Sequence, residues 1–220
     1  MNRAELASLL DHSLLKPEAT EQDIIAQTDV VRQWRIGFFC VQPGYVSLAA
    51  GALRDSRTHV VSVVGFPHGC DRSTVKAHAA ESAVQDGAAE VDMVMNVGRL
   101  KSGRAQAVAD EIAQVVRAVR GIPVKVILEA CLLTEEEKIV ACRVARDSGA
   151  AFVKTSTGFH PAGGATVADV RLLRATVGPG FGVKAAGGIR TLADAQAMLE
   201  AGANRLGTSA SPTILAGLPA

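Results

Sequence analysis

Seven short β-prone runs punctuate the 220-residue chain, at 37–41, 59–64, 90–95, 124–128, 152–154, 182–184 and 205–207, with Ala-rich stretches between them. Apolar residues fall on both parities of these runs, as in His59-Val60-Val61-Ser62-Val63-Val64. A strand covered on one face alternates apolar with polar; a strand covered on both reads as nearly continuous, which is how parallel sheets under helices are built. A weaker first strand is expected near Leu9-Leu10-Asp11-His12. Helical spacing of Ala, Val, Leu and Ile predicts helices over 74–86, 104–120, 135–148, 167–177 and 192–201. Hydroxyl residues with an acid three positions on, Thr20/Asp23, Thr134/Glu137, Thr166/Asp169 and Thr191/Asp194, mark helix starts, because the pair can satisfy backbone N–H groups reciprocally. Eight strands with intervening helices, at roughly 20 to 33 residues per unit, fit a (β/α)8 barrel at the short end of its size range. A doubly wound open sheet is the alternative, since eight units and seven read alike in sequence.

No Ser/Pro-rich or charge-rich stretch divides the chain, so one domain over 1–220 is expected. The formal net charge is +1 with both signs interspersed, which leaves no basic face for nucleic acid or an anionic membrane surface. The start, Met1-Asn2-Arg3-Ala4-Glu5-Leu6, turns polar at Asp11 before a signal-like apolar segment builds up. No later run approaches the ~18 apolar residues of a membrane span, and a cytoplasmic protein is expected. Cys40, Cys70, Cys131 and Cys142 form no CxxC pair and suit neither a zinc site nor a disulfide framework, so they read as reduced thiols.

Against this apolar background the ionisable residues within the runs stand out. Lys154 ends the run Ala150-Ala151-Phe152-Val153 and precedes Thr155-Ser156-Thr157-Gly158. Desolvation at such a place disfavours the ammonium, and the free amine is the nucleophile that forms a Schiff base with a carbonyl. Lys184 sits alike in Gly182-Val183-Lys184-Ala185-Ala186-Gly187-Gly188, and a second cation nearby adds repulsion against protonation. Residues i and i+2 share a strand face, which aligns Asp92 with Val94, Lys125 with Ile127 and Glu129, Phe152 with Lys154, and Gly182 with Lys184. In barrel enzymes catalytic groups project from the C-terminal strand ends, where both lysines lie. Asp92 is then the candidate to hold the cations and relay protons. Lys125 either lines the pocket or balances Glu129. Asp11 and Glu129, also near strand ends, could instead serve acid/base isomerisation, and a phosphate-binding barrel with structural lysines is the non-catalytic alternative. Gly158, Gly187-Gly188 and Gly207-Thr208-Ser209 follow the last three runs, where backbone N–H groups can approach a phosphate closely.

Taken in order, Leu9-Leu10-Asp11-His12-Ser13-Leu14-Leu15-Lys16-Pro17, Phe39-Cys40-Val41-Gln42-Pro43, Val64-Gly65-Phe66-Pro67-His68-Gly69, Glu90-Val91-Asp92-Met93-Val94-Met95-Asn96, Lys125-Val126-Ile127-Leu128-Glu129, Phe152 to Phe159, Gly182 to Arg190 and Arg205 to Ser209 resemble the deoxyribose-phosphate aldolases over almost the whole chain. The resemblance implies a metal-free and cofactor-free class I aldolase on a (β/α)8 barrel, splitting 2-deoxy-D-ribose 5-phosphate into D-glyceraldehyde 3-phosphate and acetaldehyde. It implies that Lys154 is the Schiff-base lysine, Lys184 its activating neighbour and Asp92 the proton-relay acid. Asp11, Ser13, Cys40, Lys125, Thr157, Gly158, Gly187, Gly188 and Ser209 would bind substrate, and a homo-oligomer, dimer or tetramer, is expected. The sequence departs from the family pattern at His160, where a small residue is more usual, and at Ala210, where some members carry a second serine. Its only tyrosine is Tyr45.

Overall fold

Eight parallel strands pair in chain order and the last returns to the first, with Leu10 beside Leu206, Asp11 beside Gly207 and His12 beside Thr208. The computed structural model describes residues 1–219. Closure removes the open-sheet alternative. The strands are β1 (Leu10–Leu14), β2 (Phe38–Val41), β3 (His59–Val64), β4 (Glu90–Val94), β5 (Val124–Ile127), β6 (Phe152–Lys154), β7 (Gly182–Ala186) and β8 (Arg205–Thr208). Helices α1 (Arg3–Leu9), α2 (Glu21–Gln33), α3 (Val46–Ala52), α4 (Ser73–Gln85), α5 (Val97–Lys101), α6 (Ala105–Ala118), α7 (Glu135–Asp147), α8 (Val167–Val177), α9 (Leu192–Glu200) and α10 (Ser211–Ala216) connect and cover them.

Local chemistry sets the helix starts. Thr20, Thr134 and Thr191 each accept the N–H of the acid three residues on, and that acid takes the cap residue's own N–H in return. At α8 only half of this box forms: Thr166 accepts the Asp169 N–H, while the Asp169 carboxylate takes the Thr166 hydroxyl at 2.8 Å and Lys138 Nζ at 2.6 Å. Leu9 ends α1 instead of opening β1. Asn2 and Glu5 form a full capping box for that helix, a signal carried by Asn where the Thr pattern did not point.

Strand parity divides the core in two. Val91, Met93, Val124, Val126, Val153, Val183 and Leu206 face outward and pack in the main cluster beneath the helices. Each such fully buried side chain contributes about 1.5–3 kcal/mol. Inside the barrel, Leu15, Cys40, Val61 and Val63 make a separate apolar cluster on the β1 to β3 side. The other half of the interior, from β4 to β8, carries Glu90, Asp92, Lys125, Lys154, Lys184 and Arg205, all buried. The N-terminal end is closed by first residues of strands: the Arg205 guanidinium lies 3.4 Å from the centre of the Phe38 ring and 5.3 Å from that of Phe152. A Cβ on Gly182 would come within 2.2 Å of the Phe152 ring, so only glycine leaves room for this plug.

Candidate active site

Asp92 is the hub of the charged half. It is the third residue of β4, fully buried, and in register with Lys125 on β5. Its Oδ1 accepts from Lys125 Nζ at 2.7 Å, while Oδ2 accepts from both Lys154 Nζ at 2.8 Å and Lys184 Nζ at 2.7 Å. Lys154 and Lys184 are register partners on β6 and β7, which is why one carboxylate oxygen reaches both. Lys184 also donates to Asp11 Oδ2 on β1, and Lys125 pairs with Glu90 Oε2 at 2.6 Å.

Burial alone would raise the Asp92 carboxyl, but the ammonium groups of Lys125, Lys154 and Lys184 hold it well below the usual carboxylate range. For Lys184 burial works against the ammonium, and the charges of Asp11 and Asp92 outweigh it and raise the amine above its ordinary value. Lys184 is therefore a fixed cation. Lys154 has one carboxylate contact among the described residues, and shares that oxygen with Lys184. It is also the lysine of the trio whose side chain is least covered, 4 % of it being exposed, and it lines a cavity of about 360 Å³. The arrangement offers an amine to a small ligand from above and a carboxylate able to take its proton from below.

Asp11, Ser13, Cys40, Lys154, Thr157, Gly158, Lys184, Gly187, Gly188 and Ser209 line this cavity together. Asp11 lines the cavity, and its Oδ1 is buried without a hydrogen-bond partner, an acceptor still free to take a hydrogen bond. Burial, reinforced by the negative charges of Asp11 and Asp92, pushes the Cys40 thiol up to about 12, so it faces the cavity as a neutral group. Gly158, Gly187 and Gly188 all have positive φ, at 82°, 88° and 82°. The loops that carry them press together: a Cβ on Gly164 would lie 2.3 Å from Gly187 O, and the Ala165 N–H is shared between Ala186 O and Gly187 O at 3.0 Å each. Lys16 and Arg190, exposed at the mouth, also line the cavity and place two cations there. Neither lies within a β-prone run, so strand parity does not single them out: Lys16 stands just before Pro17 and Arg190 just after Gly188-Ile189.

Two expectations change. Lys125 does not line the cavity and does not balance Glu129; it lies wholly buried beneath Asp92, which with Glu90 takes its ammonium. Glu129 lies beyond the end of β5, in the left-handed region with φ 53°, and its carboxylate accepts the Thr157 N–H at 3.2 Å and the Thr157 hydroxyl at 2.5 Å. Engaged in fixing the loop after β6, it is not paired with Asp11, and the geometry favours no acid/base couple between them. His160 lies outside the cavity lining, where its Nδ1 accepts the Ala162 N–H at 3.1 Å beside Cys131 Sγ.

Comparison with known proteins places this arrangement in context. A family model described as DeoC/LacD family aldolase matches residues 5–217. The deoxyribose-phosphate aldolase of Thermococcus kodakarensis is 51 % identical over 223 residues, spanning 100 % of this chain and 99 % of that protein. That of Caldanaerobacter subterraneus is 50 % identical over 213 residues, 96 % of this chain and 92 % of the relative. Among solved structures, the deoxyribose phosphate aldolase from Aeropyrum pernix, described as a tetramer, superposes with a TM-score of 0.90 at 34 % identity, covering 97 % of this chain and 91 % of that one. With the match running from the first helix to the last, and all three lysine-bearing strands inside it, this chain belongs to the DeoC/LacD family of aldolases.

Proposed function

We propose that the chain is a class I deoxyribose-phosphate aldolase, cleaving 2-deoxy-D-ribose 5-phosphate reversibly to D-glyceraldehyde 3-phosphate and acetaldehyde, with the barrel as its single catalytic domain. The observation that carries the reading is Lys154, whose Nζ stands 2.8 Å from the buried Asp92 carboxylate at the floor of a cavity with a glycine-rich rim. The neutral amine attacks the aldehyde carbon, and loss of water leaves a protonated imine. That cation draws electrons from the bond between the second and third carbons, which breaks as the 3-hydroxyl gives up its proton. D-glyceraldehyde 3-phosphate departs, the enamine is protonated at carbon, and hydrolysis frees acetaldehyde and regenerates Lys154. Asp92, in contact with Lys154 and Lys184, is placed to pass protons, and Asp11 Oδ1 to receive a substrate hydroxyl. Formation of D-glyceraldehyde 3-phosphate from 2-deoxy-D-ribose 5-phosphate by the purified protein tests the assignment, and no product at millimolar substrate would refute it.

The phosphate belongs at the rim, among the N–H groups of Gly187 and Gly188, the Ser209 side and the cations Lys16 and Arg190. Ser209→Asp sets a negative charge against it. We expect the KM for deoxyribose 5-phosphate to rise roughly ten-fold or more, a cost of about 1.4 kcal/mol per decade, with little change for unphosphorylated deoxyribose. Equal effects on the two substrates would place the phosphate elsewhere.

Lys184 acts by repulsion in this account. Lys184→Leu removes a fixed cation that shares Asp92 Oδ2 with Lys154, so the ammonium at Lys154 becomes easier to form. The acidic limb of the kcat/KM profile should move to higher pH as turnover falls, and an unmoved limb would reduce Lys184 to a hydrogen-bonding role.

We also assign the protein to the cytoplasm as a homo-oligomer, dimer or tetramer. Support comes from the four free cysteines and from the relative described as tetrameric. Among the described residues no helix is long and apolar enough to cross a membrane. Sedimentation velocity reads the assembly directly.

A further inference from the structure

The charged side chains inside the barrel make one connected chain from the open end to the closed end. Asp11 holds Lys184, Lys184 and Lys154 share Asp92 Oδ2, and the other Asp92 oxygen holds Lys125. Lys125 is itself shared with Glu90 at 2.6 Å, and Arg205 forks onto Glu90 through Nη1 at 2.8 Å and Nη2 at 3.2 Å. Glu90 and Arg205 open β4 and β8, and neither lines the cavity. When every member is ionised, four cations, Lys125, Lys154, Lys184 and Arg205, face three anions, Asp11, Glu90 and Asp92. One positive charge is in excess, and deprotonation of Lys154 is the change that balances the chain while exposing a nucleophile. How much of Asp92 remains for Lys154 depends on how much of Lys125 is taken by Glu90, and that depends on Arg205.

We propose that Glu90 and Arg205 are positioning residues for the Schiff-base chemistry: acting through Lys125 from the closed end of the barrel, they set how strongly Asp92 retains a proton on Lys154. The proposal rests on Lys154 being the nucleophile. Every charged or titratable group facing this chain enters the account: Asp11 from β1, Cys40 from β2, Glu90 and Asp92 from β4, Lys125 from β5, Lys184 from β7 and Arg205 from β8, while β3 presents Val61 and Val63 and its His59 ring lies tilted against Phe38, with ring centres 5.6 Å apart. Although burial opposes it, Lys125 and Arg205 hold the Glu90 carboxyl below its ordinary range, so its charge is present at neutral pH. Removing that charge leaves Lys125 to draw on Asp92 alone and makes the interior more positive, which disfavours the ammonium at Lys154. Removing the charge of Arg205 does the reverse.

Opposite signs are what a merely structural role cannot produce. The kcat/KM profile against pH is measured for Glu90→Gln, Arg205→Met, the double variant and the charge-conserving Arg205→Lys, with folding checked by circular dichroism. The acidic limb should fall by roughly half a pH unit or more in Glu90→Gln and rise by a similar amount in Arg205→Met. It should return near the wild-type position in the double variant and stay in place in Arg205→Lys. If Arg205→Met does not fold, Glu90→Gln read against Glu90→Asp decides: a downward shift in Gln only supports the proposal, and like behaviour of both overturns it. Borohydride trapping with acetaldehyde and peptide mapping on each protein separates the two levels of the argument. An adduct away from Lys154 in the wild type would overturn the reading beneath the proposal. An adduct on Lys154, with limbs that stay put or move the same way, would overturn the proposal alone.

Discussion

Replacing Lys154 with methionine is expected to abolish turnover, by at least about 10⁴-fold, while leaving the fold as stable as before or more so. The loss is large because no other group can form the imine: Lys184 is tied between Asp11 and Asp92, and Lys125 lies wholly buried below them. The unchanged stability follows from charge. Lys154→Met removes the one cation in excess among the interior groups and keeps an unbranched chain in a site that is 3 % exposed, so nothing is left unpaired. Turnover and a urea titration on the same preparation check both halves. A variant with residual activity near wild type, or one that unfolds several kcal/mol more easily, would mean that Lys154 is a structural ion-pair member.

The contrary pattern is expected at Asp92. Asp92→Asn removes the carboxylate shared by Lys125, Lys154 and Lys184, and a buried cation stripped of its partner costs about 3–5 kcal/mol. Turnover should fall about 10²- to 10⁴-fold, since the group placed to move the proton is gone. The stability loss should depend on pH in a defined direction. The Asp92 carboxyl is held well below its ordinary value in the folded protein, so its contribution is complete above the ordinary value and is lost progressively as pH falls from there through the lowered one. The gap between wild type and Asp92→Asn, measured by urea unfolding, should be widest near neutrality and narrow below about pH 4. A gap independent of pH would show that Asp92 is held by packing and not by its lysines.

The fold was legible in the sequence because its signal is redundant. Five of the seven runs were apolar on both parities, Gly182-Val183-Lys184 and Arg205-Leu206-Gly207 being the exceptions, and four Thr-x-x-acid pairs marked helix starts that the structure contains. Parity also carried part of the site, since it put Lys154, Lys184, Asp92 and Lys125 on inward faces. Pairing inside the barrel was not legible, because it depends on register and on where strands stop. Lys125 and Glu129 share parity, yet β5 ends at Ile127 and the chain turns into the left-handed region at Glu129, sending its carboxylate to Thr157. Register instead sets Asp92 beside Lys125. Glu90, two residues before Asp92, and Arg205, two before Gly207, were within reach of the same parity argument, but only closure of β8 onto β1 brings opposite walls together.

The central claim is that a neutral Lys154 forms a covalent imine with an aldehyde. Incubation of the wild-type protein with acetaldehyde and sodium borohydride, followed by intact-mass measurement and peptide mapping, reads it directly. The account predicts irreversible inactivation with a single reduced two-carbon adduct, located on the peptide containing Lys154 and absent when borohydride or aldehyde is omitted. An adduct on Lys184 or Lys125 with Lys154 unmodified, or full activity after borohydride with no mass gain, would contradict it.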